Sequence, residues 1–173
     1  STGIEASLTG HLVFSTLHTN SAPETITRLL DMGMDPFNFA DALLGVLAQR
    51  LVRTLCKDCK EAYHPSREEY DTLVRSYAGD FDALGFKYDS DLVLYKPKGC
   101  PKCANTGYRG RTGIHEIIVG TDPLKSLIQG RAKMEEIRAQ AIKDGMTTLM
   151  QDGIRKTLVG MTDLMQVRKV CIK

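Results

Sequence analysis

The sequence predicts a mixed α/β protein with a tetracysteine insertion and a helical tail. Three observations carry that expectation. Leu12-Val13-Phe14-Ser15-Thr16-Leu17 is a short, mostly apolar, β-prone run, followed by the capped helix start Ser21-Ala22-Pro23-Glu24. Four cysteines fall in two C-x-x-C pairs, Cys56-Lys57-Asp58-Cys59 and Cys100-Pro101-Lys102-Cys103. Beyond them lies a series of short amphipathic segments with glycine stops, the pattern of a small helical bundle.

Taken in order, Ile4 to Leu8 reads as the tail of a helix broken at Gly10. The apolar run at 12–17 reads as a strand buried on both faces, the kind found in a parallel sheet. Ser21 with Glu24 has capping-box spacing and Pro23 fits the first turn, so a helix is expected through Ile26, Leu29 and Leu30 to Gly33. Asp35-Pro36 starts a longer expected helix, with Ala40, Leu43, Leu44, Leu47 and Leu51 as its buried stripe and Arg50 and Arg53 at its end. Residues 56–110 carry scattered aromatics, with a short helix expected at Glu68–Tyr77 and a strand at Asp91–Tyr95. Ile114 to Val119 reads as another strand. Four helices follow: one starting at Thr121-Asp122-Pro123, one marked by Met134, Ile137, Ala141 and Ile142 and ended by Gly145, one capped by Thr147 and running to Gly160, and one capped by Thr162 over 163–170.

Composition narrows the class. Of 173 residues, 42% are hydrophobic and 25% charged, which excludes collagen-like, low-complexity and broadly disordered chains. The length suffices for a real core without disulfides. With 23 basic against 21 acidic residues the net charge is +2, which gives no support to bulk nucleic-acid binding. The longest mainly apolar stretch, Phe39 to Leu47, is interrupted by Asp41 and is about half the ~20 residues a membrane span needs. No signal peptide is visible, and the chain opens at Ser1 without an initiator Met, as a fragment would.

Two C-x-x-C knuckles are the ligand spacing of a tetrathiolate zinc site. Cys56, Cys59, Cys100 and Cys103 fill a tetrahedron, so such a site is closed and structural. The 40 residues between the knuckles exceed the usual ~15–20 of a ribbon, but loop-closure cost grows only logarithmically with length. Lys57, Lys60, Lys98 and Lys102 flank the knuckles and can offset the charge of −2 that four thiolates leave around Zn²⁺. Disulfides would fit a secreted chain, and a thioredoxin-like redox pair would leave one knuckle unexplained. Cys171 reads as a small buried apolar residue, and His64 is the weaker candidate for a substitute ligand.

The stretch Thr9 to Asn20 contains the other candidate chemistry. An apolar run ends in Thr16, His18, Thr19 and Asn20, and in open α/β sheets ligands bind beyond the carboxyl ends of strands. His18 is therefore placed to face a ligand. His11 lies roughly 23 Å away if the intervening segment is extended, which argues against a paired-histidine metal site. The bland alternative for either is a hydrogen-bonded histidine at a strand end.

Thr9 to Asn20 resembles the histidine box of the secretion ATPase superfamily, the hexameric motors of type II secretion and type IV pilus assembly. Three further stretches agree in order: Arg28-Leu29-Leu30-Asp31-Met32-Gly33, Ala48 to Cys56, and Gly107-Tyr108-Arg109-Gly110-Arg111-Thr112-Gly113-Ile114-His115-Glu116. The knuckles narrow the likeness to the secretion (GspE-like) and pilus-assembly (PilB-like) branch. The resemblance implies the C-terminal part of a RecA-like (P-loop NTPase) core with an inserted zinc-binding subdomain and a C-terminal helical bundle. Its expected division is 1–55 core with histidine box, 56–106 zinc-binding insertion, 107–120 return to the core, and 121–173 helical subdomain. It further implies His18 and His11 as catalytic, with His18 near the γ-phosphate, Thr16, Arg50 and Arg53 near the nucleotide, and Cys56, Cys59, Cys100 and Cys103 as ligands of a structural Zn²⁺. ATP and Mg²⁺ would serve the full-length protein. Its implied partners are its own copies in a homo-hexamer and inner-membrane platform proteins, at the cytoplasmic side of the bacterial inner membrane, with no nucleic acid expected.

The chain departs from that family in one large respect: no G-x-x-x-x-G-K-[ST] phosphate loop occurs in its 173 residues. Two other readings compete. A zinc-ribbon module binding nucleic acid or protein would use the knuckle lysines with Arg109 and Arg111. A chaperone-type cysteine-rich domain is weaker, because the glycine spacing after Cys103 is wrong and the four-fold repeat is missing.

Overall fold

The computed structural model describes residues 2–171. Among these the elements are α1 (Thr2–Leu8), α2 (Ala22–Asp31), α3 (Pro36–Ala42), β1 (Gly45–Leu55), β2 (Glu61–Tyr63), α4 (Arg67–Tyr77), β3 (Leu94–Lys96), β4 (Tyr108–Val119), α5 (Asp122–Gln129), α6 (Met134–Lys143), α7 (Leu149–Leu158) and α8 (Leu164–Cys171). The class is mixed α/β. Strand β1 pairs with β4, and β2 pairs antiparallel with β3, with Ala62 opposite Tyr95.

The chain divides into two compact units, one of Ser1–Ala48 with Glu116–Thr147 and one of Gln49–His115 with Thr148–Lys173. The boundaries fall inside β1 and β4, so each strand contributes one end to each unit. The four C-terminal helices also divide: α5 and α6 belong to the first unit, α7 and α8 to the second.

In the first unit, local chemistry sets the helix starts. Ser21 Oγ accepts the Glu24 N–H, Asp35 Oδ1 accepts the Asn38 N–H, and Thr121 Oγ1 accepts the Leu124 N–H, each with Pro in the first turn. The helices bury Ile26 and Leu30 of α2, Phe39 and Ala40 of α3, Leu124 and Ile128 of α5, and Ile137 and Ala141 of α6 around Ile118 of β4. Met134 and Ile142, expected in the buried stripe of α6, are 37% and 45% exposed.

Two sequence expectations fail in this unit. The run Leu12–Leu17 forms no strand and is exposed, with Phe14 87% accessible. A strand buried on both faces needs neighbours on both sides, and among the described residues none pairs with it. The long helix expected from Asp35–Pro36 ends at Ala42, and residues 45–55 are strand β1 instead. The leucines at 44, 47 and 51 are exposed, whereas burial along β1 deepens at every second residue up to Val52. Gly45 explains part of the switch: a Cβ there would stand 2.9 Å from the Ile118 carbonyl oxygen, so the strand backbones approach closely at this point.

The second unit is built on two apolar clusters. Tyr70, Leu73, Tyr77 and Phe81 pack with Leu92, Leu94 and, from α7, Ile154 and Leu158. Phe81 meets Tyr70 and Tyr77 edge-on at 88° and 86°. Val52, Ile114, Leu149 and Val167 form the other cluster, with the half-buried Cys171 against it. Helix α4 starts where expected, on a capping box of Ser66 and Glu69. The strand expected at Asp91–Tyr95 forms later, as β3, and the strand expected at Ile114–Val119 begins earlier, at Tyr108.

Two caps shift by one residue. Thr148, not Thr147, caps α7, because Gln151 stands three residues after it and closes the capping box. At α8 the Gln166 N–H bonds Asp163 Oδ1, while Thr162 is buried and donates to the Arg53 carbonyl at 2.8 Å.

Helices α7 and α8 meet at Gly153, where an added Cβ would lie 2.3 Å from Val167 Cγ1. Val167 is fully buried and stiff about χ1, so it has no room to yield. Overpacking costs about 1–3 kcal/mol, more than the ~1 kcal/mol of helix propensity that alanine would add. Gly153→Ala is therefore expected to lower the melting temperature, and Gly153→Ala with Val167→Ala to lose less than the two single losses added together. Thermal unfolding of the four proteins checks both.

Candidate metal centre and histidine segment

The four expected cysteines converge. The Sγ atoms of Cys56, Cys59, Cys100 and Cys103 all lie within 4.8 Å of one another, two in buried and two in half-buried residues. Cys56 and Cys100 are 3.9 Å apart, Cys59 and Cys103 3.8 Å, and Cys100 and Cys103 3.7 Å. A tetrahedron with metal–sulfur bonds of about 2.3 Å has sulfur–sulfur edges of about 3.8 Å. A disulfide would need about 2.05 Å, and all four are free thiols. The donor set thus fits a closed tetrathiolate site and does not fit a disulfide pair.

Each knuckle is a tight backbone turn. The Lys60 N–H returns to the Cys56 carbonyl at 3.0 Å, and the Asn105 N–H returns to the Cys100 carbonyl at 2.9 Å. Ala104 and Asn105 take positive φ to make the second turn. Gly107 then carries φ +81, and a Cβ on it would lie 2.4 Å from Pro97 Cβ, so only glycine fits. Its N–H donates to Cys103 Sγ at 3.2 Å, and its carbonyl accepts the Cys56 N–H at 2.9 Å. One residue therefore joins the two knuckles.

The sulfurs differ electrostatically. Burial pushes the Cys59 thiol up to about 11. Burial also pushes on Cys103, but the N–H groups of Cys100 and Gly107 outweigh it and hold that thiol down at about 6. The flanking lysines are less free than expected. Lys102 pairs with Asp58 at 2.9 Å and Lys98 with Glu61 at 3.3 Å, while Lys60 donates to the Gly160 carbonyl at 2.8 Å and lies over the Tyr95 ring. Lys57 is exposed. His64 sits apart from the sulfurs' partners: its Nε2 bonds the Asp89 carbonyl and its ring tilts against Tyr88.

The histidine segment lies in the other unit. His18 is exposed, and its carbonyl accepts the Arg28 guanidinium at 2.6 Å. Thr19 Oγ1 bonds Thr25 Oγ1 at 2.6 Å, and the Asn20 N–H donates to Glu24 Oε2 at 3.0 Å. Helix α2 thus holds the backbone on which His18 stands while leaving the imidazole open. His11 is also exposed, and its Nδ1 lies 3.2 Å from the Ala6 carbonyl. Thr16 is exposed. Arg50 and Arg53, expected near a nucleotide, lie on β1 in the second unit, where the Arg53 guanidinium stacks 4.8 Å over the Tyr108 ring.

The sequence reading missed Glu116. Its side chain is buried, and its Oε2 accepts the Ala22 N–H at 2.8 Å, anchoring the first turn of α2 just after the histidine segment. A signal existed: Ile114, Glu116 and Ile118 alternate along β4, so a carboxylate stands in the buried row of a strand.

Fold and site together define a mixed α/β chain that carries a cluster of four cysteines able to hold a metal ion and an exposed histidine loop held by a helix. The family described as Type II/IV secretion system protein matches residues 1–169. The chain belongs to that family. It is similar to the type II secretion system ATPase E of Vibrio cholerae, 47% identical over 167 residues that cover 96% of this chain and 31% of the relative. It is 45% identical over 163 residues to the type IV pilus assembly ATPase PilB of Thermus thermophilus, covering 94% of this chain and 17% of that protein. A type II secretion system protein E of Pseudomonas aeruginosa is 44% identical over 96% of this chain and 31% of its own length. The chain therefore spans less than a third of each of these relatives.

Proposed function

We propose that this chain is the C-terminal part of a hexameric motor ATPase that powers type II secretion or type IV pilus assembly. The observation that carries the reading is 42–47% identity, over nearly the whole chain, to proteins named as such ATPases or secretion-system E proteins. The exposed apolar side chains of Leu12, Phe14 and Leu17, with Leu44, Leu47, Ile117 and Val119 on and beside β1 and β4, suit a RecA-like core whose further strands would cover them.

In this reading His18 donates a hydrogen bond to a phosphoryl oxygen as charge develops on it, and Arg28 orients it by holding its carbonyl. His11 has the secondary role, in coupling between subunits. Thr16, Arg50 and Arg53 lie near the nucleotide in this reading. Cys56, Cys59, Cys100 and Cys103 hold a structural Zn²⁺ that crosslinks the two knuckles and does no chemistry on the nucleotide. The assembled motor works at the cytoplasmic face of the inner membrane against platform proteins. No helix among the described residues is long and apolar enough to cross a membrane.

The purified 173-residue chain is expected neither to hydrolyse ATP nor to bind it tightly, since it has no phosphate loop. A phosphate-release assay and calorimetry with Mg-ATP check this. Sustained turnover that survives His18→Ala would overturn the assignment. The alternative, a self-sufficient zinc-ribbon module, is tested by a salt-dependent mobility shift with duplex or single-stranded DNA.

A further inference from the structure

The nearly neutral chain conceals two oppositely charged units. The unit of Gln49–His115 and Thr148–Lys173 holds 17 basic against 11 acidic residues, and the other unit holds 6 against 10. The even balance of the whole sequence is thus a sum of +6 and −4. The cysteine-bearing unit is cationic.

Its uncompensated cations border exposed apolar side chains. The turn between α7 and α8 is pinned beside the first knuckle by three bonds: Leu55 N–H to the Met161 carbonyl at 2.9 Å, Lys60 Nζ to the Gly160 carbonyl at 2.8 Å, and Thr162 Oγ1 to the Arg53 carbonyl at 2.8 Å. On and after this turn Val159, Met161 and Met165 are 61%, 38% and 55% exposed. Arg155 stands one helical turn before Val159, Lys169 one turn after Met165, and Lys57 on the knuckle itself. These three cations are exposed or end-of-helix groups whose side chains make none of the ion pairs seen elsewhere in the unit.

An apolar centre of valine and methionine with a charged rim is the anatomy of a protein interface. Methionine suits a surface that adapts to a peptide. A lipid surface would call for exposed aromatic anchors, and among the described residues none of the large exposed apolar side chains of this unit is aromatic. We infer that the α7–α8 turn and the first knuckle form a docking surface for an acidic amphipathic segment of a partner protein. Its apolar side chains cover Val159, Met161 and Met165, and its carboxylates meet Lys57, Arg155 and Lys169. This deepens the motor reading by giving a partner a place to bind, but it requires no nucleotide.

The test uses the metal-loaded 173-residue chain with ¹³C-labelled methionine methyl groups. The probe is a synthetic helical peptide with leucine at i, i+3 and i+4 and glutamate at the positions between, with a lysine-for-glutamate twin. The acidic peptide is expected to shift the Met161 and Met165 signals and to leave Met134 and Met146 of the other unit unmoved. Arg155→Glu with Lys169→Glu, two exposed positions away from the cysteines, is expected to weaken binding about tenfold or more, since like charges then face each other, with metal content and melting temperature unchanged. The inference is overturned if neither methionine responds, if the basic twin binds as well, or if the double variant binds undiminished. It is equally overturned if phosphatidylglycerol vesicles or duplex DNA, and not the peptide, produce the shifts. Because no step involves ATP, these outcomes leave the motor reading to be judged by its own assays.

Discussion

Cys103→Ser is expected to abolish metal binding and to unfold the cysteine-bearing unit. Cys103 accepts two backbone N–H bonds, from Cys100 and Gly107, and stands 3.7–3.8 Å from Cys100 and Cys59. Losing it removes one corner of the tetrahedron and the group that ties the second knuckle to its own loop. The expected magnitude decides the outcome. Structural zinc sites of this kind contribute apparent binding free energies of about 10–16 kcal/mol at neutral pH, against total domain stabilities of about 5–15 kcal/mol. The clusters around Leu73 and Val52 would be left without the crosslink that closes the loop between the knuckles. Elemental analysis is expected to give about one zinc per parent chain and none in the variant. Hydrogen exchange is expected to lose protection across β2, β3 and α4 while α2 and α5, which have their own core, retain theirs. Cys171→Ser is the control: its thiol lies outside the cluster of four and should leave the metal in place. Full metal occupancy and native protection in Cys103→Ser would refute the crosslinking role.

His18→Ala is expected to cost about 10²–10³ in kcat when this chain is joined to the upstream part of a relative such as the Vibrio cholerae ATPase. The fold should not change. The imidazole is exposed, and the contacts that hold the loop run through the His18 carbonyl, Thr19 and the Asn20 N–H. A loss of turnover with unchanged melting temperature and unchanged KM would place the side chain at the transition state rather than in binding. His11→Ala should cost less, because the His11 ring folds back on the end of α1. A kcat for the His18 variant within about twofold of the parent would remove His18 from the chemistry.

What was readable in advance follows how far each signal reaches along the chain. Ser21, Asp35 and Thr121 cap helices within three residues of themselves, so their short-range chemistry survived folding unchanged. The knuckles were readable because two residues between cysteines is a turn in any context. Apolar runs were not. Leu43 to Leu51 fits a helical stripe on paper, yet the segment pairs as β1, since hydrophobicity does not say which partner satisfies the backbone. Leu12 to Leu17 fits a buried strand, yet a strand needs neighbours, and none of the described residues supplies one. Glu116 was passed over because its importance is a hydrogen bond to Ala22, ninety-four positions away.

By itself the sequence determined the family, the four converging cysteines and most helix starts. Each of these is written in residue types at fixed short spacing, where local sterics and hydrogen bonding leave one outcome. Only the tertiary structure decided that α7 and α8 belong with the knuckles, that β1 replaces a helix, and that a net charge of +2 is the sum of a cationic and an anionic unit. Those are properties of which distant segments pack together, and packing is selected by the summed burial of surfaces that no short window of residues contains.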